Sequence, residues 1–268
     1  MSREKVIAPG RRLGRKAIKT DTRTLRLAKY LMPALPAPPA QRDWTQGVTD
    51  WGMMLNDTLG DCTIAGCGHA VQVWTLNTAN EMTVGDDSIL AAYEQWDGYD
   101  PSDPSTDQGG VELDVLTDWT NSNFPPQSQG PASGDPGFAK HVLTGFAAAN
   151  VLNLTEIQQA IDLFGGVYIG VELPLTAQEQ SEWDVVPEDG SGASAAGSWG
   201  GHCVYVPAYD QTIFTCISWG APLTMTMAFW RAYVDEAYAL FSPDWMGTGT
   251  APSGFDQAQL AADLAAIC

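Results

Sequence analysis

Beyond position 31 the 268-residue chain is nearly devoid of basic side chains, holding only Arg42, Lys140 and Arg231 against thirty acids. A body of that sign repels nucleic acid and anionic lipid, so neither is expected as its partner. No apolar run approaches the roughly 18 residues of a membrane span. The first residues lack an apolar stretch followed by a small-residue cleavage site, so no secretory signal is expected, and the expected location is cytoplasmic or within an assembly such as a virion. Histidine is scarce, with only His69, His141 and His202. The five cysteines, Cys62, Cys67, Cys203, Cys216 and Cys268, are odd in number and form no repeated CxxC spacing. That argues against a zinc site or disulfide framework and for reduced thiols, with no metal or cofactor expected.

The missing cations are at the front. Residues 1–31 carry ten of the thirteen Lys and Arg with only Glu4 and Asp21 as acids, so the arm is +8 and the remainder −27. Gly10 and Gly14 and the weak apolar periodicity read as an extended arm, and Pro33 to Pro39 as a stiff linker. Residues 1–41 are therefore separated from a body spanning 42–268. Such an arm suits an acidic protein surface, including a neighbouring subunit of an ordered assembly.

Within the body, apolar spacing predicts a helix from Cys62, after the turn Leu59-Gly60-Asp61. A second is predicted from a cap at Asp86-Asp87-Ser88 through Trp96, and a third over 111–120. Residues 121–137 and 187–201 read as loops. Leu154 to Phe164 reads as a helix and Val167 to Val171 as a buried strand. Strands follow over 202–209, 212–219 and around Met225, then a helix or long turn over 229–240 and a terminal amphipathic helix over 255–267. Helices first and strands second imply an α+β fold, a mainly helical lobe (42–150) facing a mainly β lobe (151–250). Asp97, Asp100, Asp103 and Asp107 read as a solvated loop without the spacing of a calcium loop.

A thiol that attacks carbonyls must ionise near neutral pH, which a helix N-terminus and a nearby imidazole promote. Cys62 stands at a helix start, after a turn where Gly60 lets the backbone approach a substrate. His202 follows Gly200-Gly201 and opens an apolar strand. His69 and His141 have no comparable context. Five segments, RDWTQGVTDW, NDTLGDCTIAGC, LTEIQQAIDLFGGVYIGVEL, GGHCVYVPAYD and ISWG, then fall in one order over residues 42–240. In that order they resemble the papain-like cysteine peptidases. The resemblance implies a two-lobed α+β fold with a cleft, a peptide or protein substrate, Cys62 as nucleophile and His202 as base. It also implies Asn56, six residues before Cys62, as oxyanion donor and Trp219 as a shield over the histidine, whereas Trp199 reads as an ordinary core or rim aromatic.

The chain departs from the family at three points. The asparagine that orients the histidine falls on Ile217, and Ser218 beside it is expected to face the other side of its strand. The oxyanion glutamine is the shorter Asn56. Thr63 follows the nucleophile in place of tryptophan, and Asp61 places an acid beside Cys62 that opposes thiolate formation. Two functions are consistent with this: a papain-like cysteine peptidase or amidase, or a chain that keeps the fold as a structural protein, such as a virion decoration protein anchored by its basic arm.

Overall fold

The computed structural model describes residues 10–31, 37–121, 137–187, 192–246 and Ala262. The helix expected over 255–267 and most of the 121–137 loop lie outside these residues. The strands are β1 (Arg42–Asp43), β2 (Gly145–Ala148), β3 (Val167–Leu173), β4 (Glu182–Trp183), β5 (Gly200–Tyr209), β6 (Ile213–Ser218), β7 (Ala221–Thr226) and β8 (Val234–Phe241). The helices are α1 (Cys62–Thr78), α2 (Asp86–Asp97), α3 (Glu112–Thr120), α4 (Leu154–Phe164), α5 (Met227–Tyr233) and α6 (Pro243–Met246).

The sheet has eight strands in the order β2-β8-β3-β5-β6-β7-β4, with β1 pairing β5. Every pairing is antiparallel except β4 with β7. With α1 to α3 gathered against one side of the sheet, this is the α+β arrangement expected from the order of elements.

Helix α1 is buried along Cys62–Thr75, because it runs between the other helices and the sheet. Gly66 permits that approach: a Cβ there would lie 3.0 Å from the Tyr168 ring on β3. Trp74 stacks on Trp119 of α3 and donates its indole N–H to the Phe164 carbonyl, joining α1 to α3 and α4. Helix α2 ends on left-handed Gly98. Asp86 and Asp87 occupy its first turn and Gly85 is the cap residue, so the cap expected from Asp86-Asp87-Ser88 is not made by those side chains. Asn153 caps α4 through Glu156 N–H, and Thr226 caps α5 through Phe229 N–H.

One expectation is corrected here. Residues 229–240 are not a single helix or turn, since α5 stops at Tyr233 and β8 follows. Strand β8 lies between β2 and β3 and is buried at all but one position, so tertiary pairing overrides any local helical preference of VDEAYALF. Two apolar cores result. One lies beneath α1 to α3, and the other is enclosed by the sheet, α4 and α5. Leu27 and Tyr30, from the segment before the proline linker, are fully buried in the second.

Candidate active site

Cys62 is the first residue of α1 and Asp61 its cap. The turn before it is fixed from α2: Tyr93 Oη donates to Asp107 Oδ1 (2.6 Å), Asp107 Oδ1 accepts from Gly60 N–H (2.9 Å), and Gly109 N–H donates to Tyr93 Oη (2.9 Å). Asp107 is therefore an anchor of the turn before Cys62 and not part of a solvated loop. Asp97, at the end of α2, is likewise held, accepting from Thr63 Oγ1 at 3.2 Å. Among the described residues no group of His, Cys, Asp and Glu is arranged to hold a metal.

Asp61 is fully buried, and burial holds its carboxyl well above the usual carboxylate range. Burial thus disfavours its charged form, while any charge it carries raises the Cys62 thiol further. Asn56 is also buried, but its Nδ2 donates to Leu59 O (3.2 Å) and Asp61 Oδ1 (3.1 Å). Both amide protons are engaged within the turn, so the side chain does not present a free donor to an oxyanion.

His202 is the third residue of β5, and its ring lies flat against Trp219, with centroids 4.4 Å apart and planes 11° from parallel. Trp219 stacks in turn on buried Trp199 at 5.6 Å, so Trp199 backs the shield and is more than a rim residue. His202 Nε2 lies 2.8 Å from Ser218 Oγ. Ser218 therefore does not face the other side of its strand, as expected, but meets the imidazole. Ile217 pairs with Tyr205 across β5 and β6 and shares its core. His202 is an odd number of residues from Tyr205, so the period-two alternation places it on the opposite face from Ile217, and Ser218 on its own. The tight turn Trp219-Gly220, both with positive φ (47° and 73°), closes the β6–β7 hairpin and lays the indole over the imidazole.

No hydrogen bond joins Cys62 to His202. The Cys62 sulfur faces the backbone N–H groups of Cys203 and Gly14, so it lies beside the peptide bond that follows His202. His202 Nδ1 is buried without a hydrogen-bond partner. Burial pushes the Cys62 thiol up to about 12 and, for the same reason, the His202 imidazole down to about 3. Both are neutral near pH 7.

The chain's own N-terminal segment, whose place here was not read from sequence, also passes beside Cys62. Residues 12–16 run extended between the lobes. Arg12 N–H donates to Asn56 O (3.0 Å), Gly110 N–H to Gly14 O (2.8 Å), Lys16 N–H to Gly110 O (2.8 Å) and Arg15 N–H to Gly201 O (3.2 Å). Trp219 Nε1–H donates to Arg12 O at 3.1 Å, and the Arg11 guanidinium lies over the same indole. Gly14 makes the closest approach, for a Cβ there would lie 1.6 Å from Gly60 O. The Gly109-Gly110 pair was the available signal for this lip of the cleft. His69 and His141 are structural: His69 Nε2 lies 3.3 Å from Gly52 O, and His141 Nδ1 2.8 Å from Asp244 Oδ2.

No family model and no curated protein matches the chain. Solved structures do. Xylellain, a cysteine protease from Xylella fastidiosa, superposes with a TM-score of 0.64 at 13% identity, covering 90% of this chain and 98% of that one. The proform of the Amb a 11 cysteine protease, a ragweed pollen allergen, gives 0.54 at 14% identity, covering 81% and 70%. Digestive procathepsin L 3 of Tenebrio molitor larval midgut gives 0.53 at 11% identity, covering 84% and 75%.

Proposed function

The fold is that of the papain-like cysteine proteases, and from the cleft we propose that this chain is a cysteine peptidase or amidase held latent by its own residues 11–16. The observation that carries the reading is the backbone of residues 12–16, laid across Cys62 and bonded to both lobes. An extended peptide already fits between them.

When the segment leaves, water reaches Cys62 and His202 and the burial that keeps both neutral is relieved. The Nε2–H tautomer of His202, donating to Ser218 Oγ, leaves Nδ1 as the base. Nδ1 takes the Cys62 proton and the thiolate attacks the substrate carbonyl carbon. The Cys62 N–H at the start of α1 receives the developing oxyanion, and Asn56 joins it only by giving up its bonds within the turn. The amine leaves with the proton from His202, and water hydrolyses the thioester. The shared fold is an analogy for this chemistry; the residues in the cleft supply the argument.

The test is digestion of a mixed peptide substrate by the full-length Arg15→Glu chain, whose arm is repelled by its own pocket. Cleavage that disappears in Arg15→Glu/Cys62→Ser supports the reading; a folded Arg15→Glu chain that cuts nothing overturns it. The alternative, a structural protein anchored to a neighbour by its arm, requires an arm free to reach out, and residues 10–31 are engaged with the chain's own body.

A further inference from the structure

We propose that the pocket occupied by Arg15 is the specificity pocket of the cleft and takes an arginine side chain of the substrate, one residue from the group facing Cys62. This rests on the peptidase reading of the same cleft.

The Arg15 side chain is fully buried among four carboxylates from three separate parts of the chain. Nε donates to Glu236 Oε1 at 3.0 Å, Nη1 to Glu172 Oε1 at 2.8 Å, and Nη2 to Asp235 Oδ1 and Glu236 Oε1, both at 2.6 Å. Glu112, at the start of α3, lies 3.2 Å from Nε and is wholly buried, with neither oxygen in a hydrogen bond. Tyr238 Oη donates to Glu236 Oε2 at 2.7 Å and fixes its orientation. The floor is made by an absence: on β3 a Cβ at Gly170 would sit 2.3 Å from Nε and 2.5 Å from Cζ of Arg15. Any side chain there would exclude the guanidinium.

The main-chain bonds beside Arg15 go to Gly110 on one lobe and Gly201 on the other, and serve any extended peptide. Selection therefore falls to the side chain. With Arg15 withdrawn, four carboxylates face one concavity without a counter-ion. A planar guanidinium with five donors answers that arrangement. An ammonium answers it in part, and a neutral side chain of the same shape leaves the acids unpaired. Arg15 is the arm's own copy of the group the pocket selects.

The experiment uses full-length Arg15→Ala and Arg15→Ala/Cys62→Ala with capped tetrapeptides that differ at one position: arginine, lysine, citrulline or glutamate. Calorimetry on the double variant reads binding and product analysis on the single variant reads cleavage. Arginine is expected to bind about 10- to 100-fold tighter than citrulline, the range for charge-assisted hydrogen bonds, with lysine between them and glutamate undetectable. Equal affinity for arginine and citrulline overturns the proposal, as does binding of none of the four. Discrimination without cleavage supports the pocket and overturns the peptidase reading; cleavage without discrimination does the reverse. Should loss of Arg15 unfold the chain, Gly14→Ala, which keeps Arg15 and breaks the main-chain clamp, carries the same comparison.

Discussion

Adding one methyl group at Gly14 is expected to open the cleft. A Cβ there would lie 1.6 Å from Gly60 O and 2.2 Å from Gly60 C, both backbone atoms of the anchored turn before Cys62. The arm must therefore yield, by about 2 Å to regain van der Waals contact. That breaks its bonds through Gly110 N–H, Lys16 N–H and Arg15 N–H, at 2.8, 2.8 and 3.2 Å. At about 1 kcal/mol each the closed state loses about 3 kcal/mol, a shift of about 100-fold toward the open state. The readout is alkylation of Cys62 by iodoacetamide at pH 7, followed by peptide mass spectrometry. The wild-type thiol, held at about 12, is ionised to about one part in 10⁵ at that pH, so its labelling waits on opening. Cys67, Cys203 and Cys216 are also buried and serve as internal controls. An unchanged Cys62 rate, or equal acceleration at all four thiols, refutes the reasoning, the latter because it reports unfolding and not arm release.

Three further outcomes follow from the same geometry. Burial holds His69 at about 4, so the unfolded chain binds a proton below about pH 6.5 that the native chain refuses. This lowers stability as pH falls. His69→Gln should shrink the loss between pH 7 and 5, measured by urea unfolding, by about 2 kcal/mol; an unchanged loss counts against the assignment. Ser218→Ala in the Gly14→Ala background should lower kcat about tenfold with little change in KM, as removal of one hydrogen bond to the base predicts; an unaltered kcat would show that Ser218 does not orient His202. Ile217→Asn should fail to raise kcat and cost about 3 kcal/mol, because it buries an amide in the core beside Tyr205; a gain in activity would show that residue 217 reaches the imidazole.

The helix beginning at Cys62 and the strand carrying His202 were legible because each carries a local signal, a Gly turn before an apolar helix and a Gly pair before an apolar run. The order of helices and strands gave the fold class by the same local means. Ser218 was misassigned because its facing depends on a pairing register, Tyr205 opposite Ile217, that no local pattern reveals; one residue of offset exchanges the two faces. Asn56 stood at the right spacing, yet spacing does not report that both its amide protons stay within their own turn. The arm's place was hidden for a third reason. Its cation at position 15 meets acids at 112, 172, 235 and 236, which come together only after the sheet has formed. Charge asymmetry showed that the arm wanted an acidic surface, and the surface proved to be its own.

Arg15 bridges Gly110 in the parallel sense, and the group that Gly14 turns toward the sulfur is an amide N–H. A thiolate requires an electrophilic carbon, and an amide hydrogen is not one. On the peptidase reading, the segment can thus rest against Cys62 without being consumed, because of which way its backbone points and whatever its side chains.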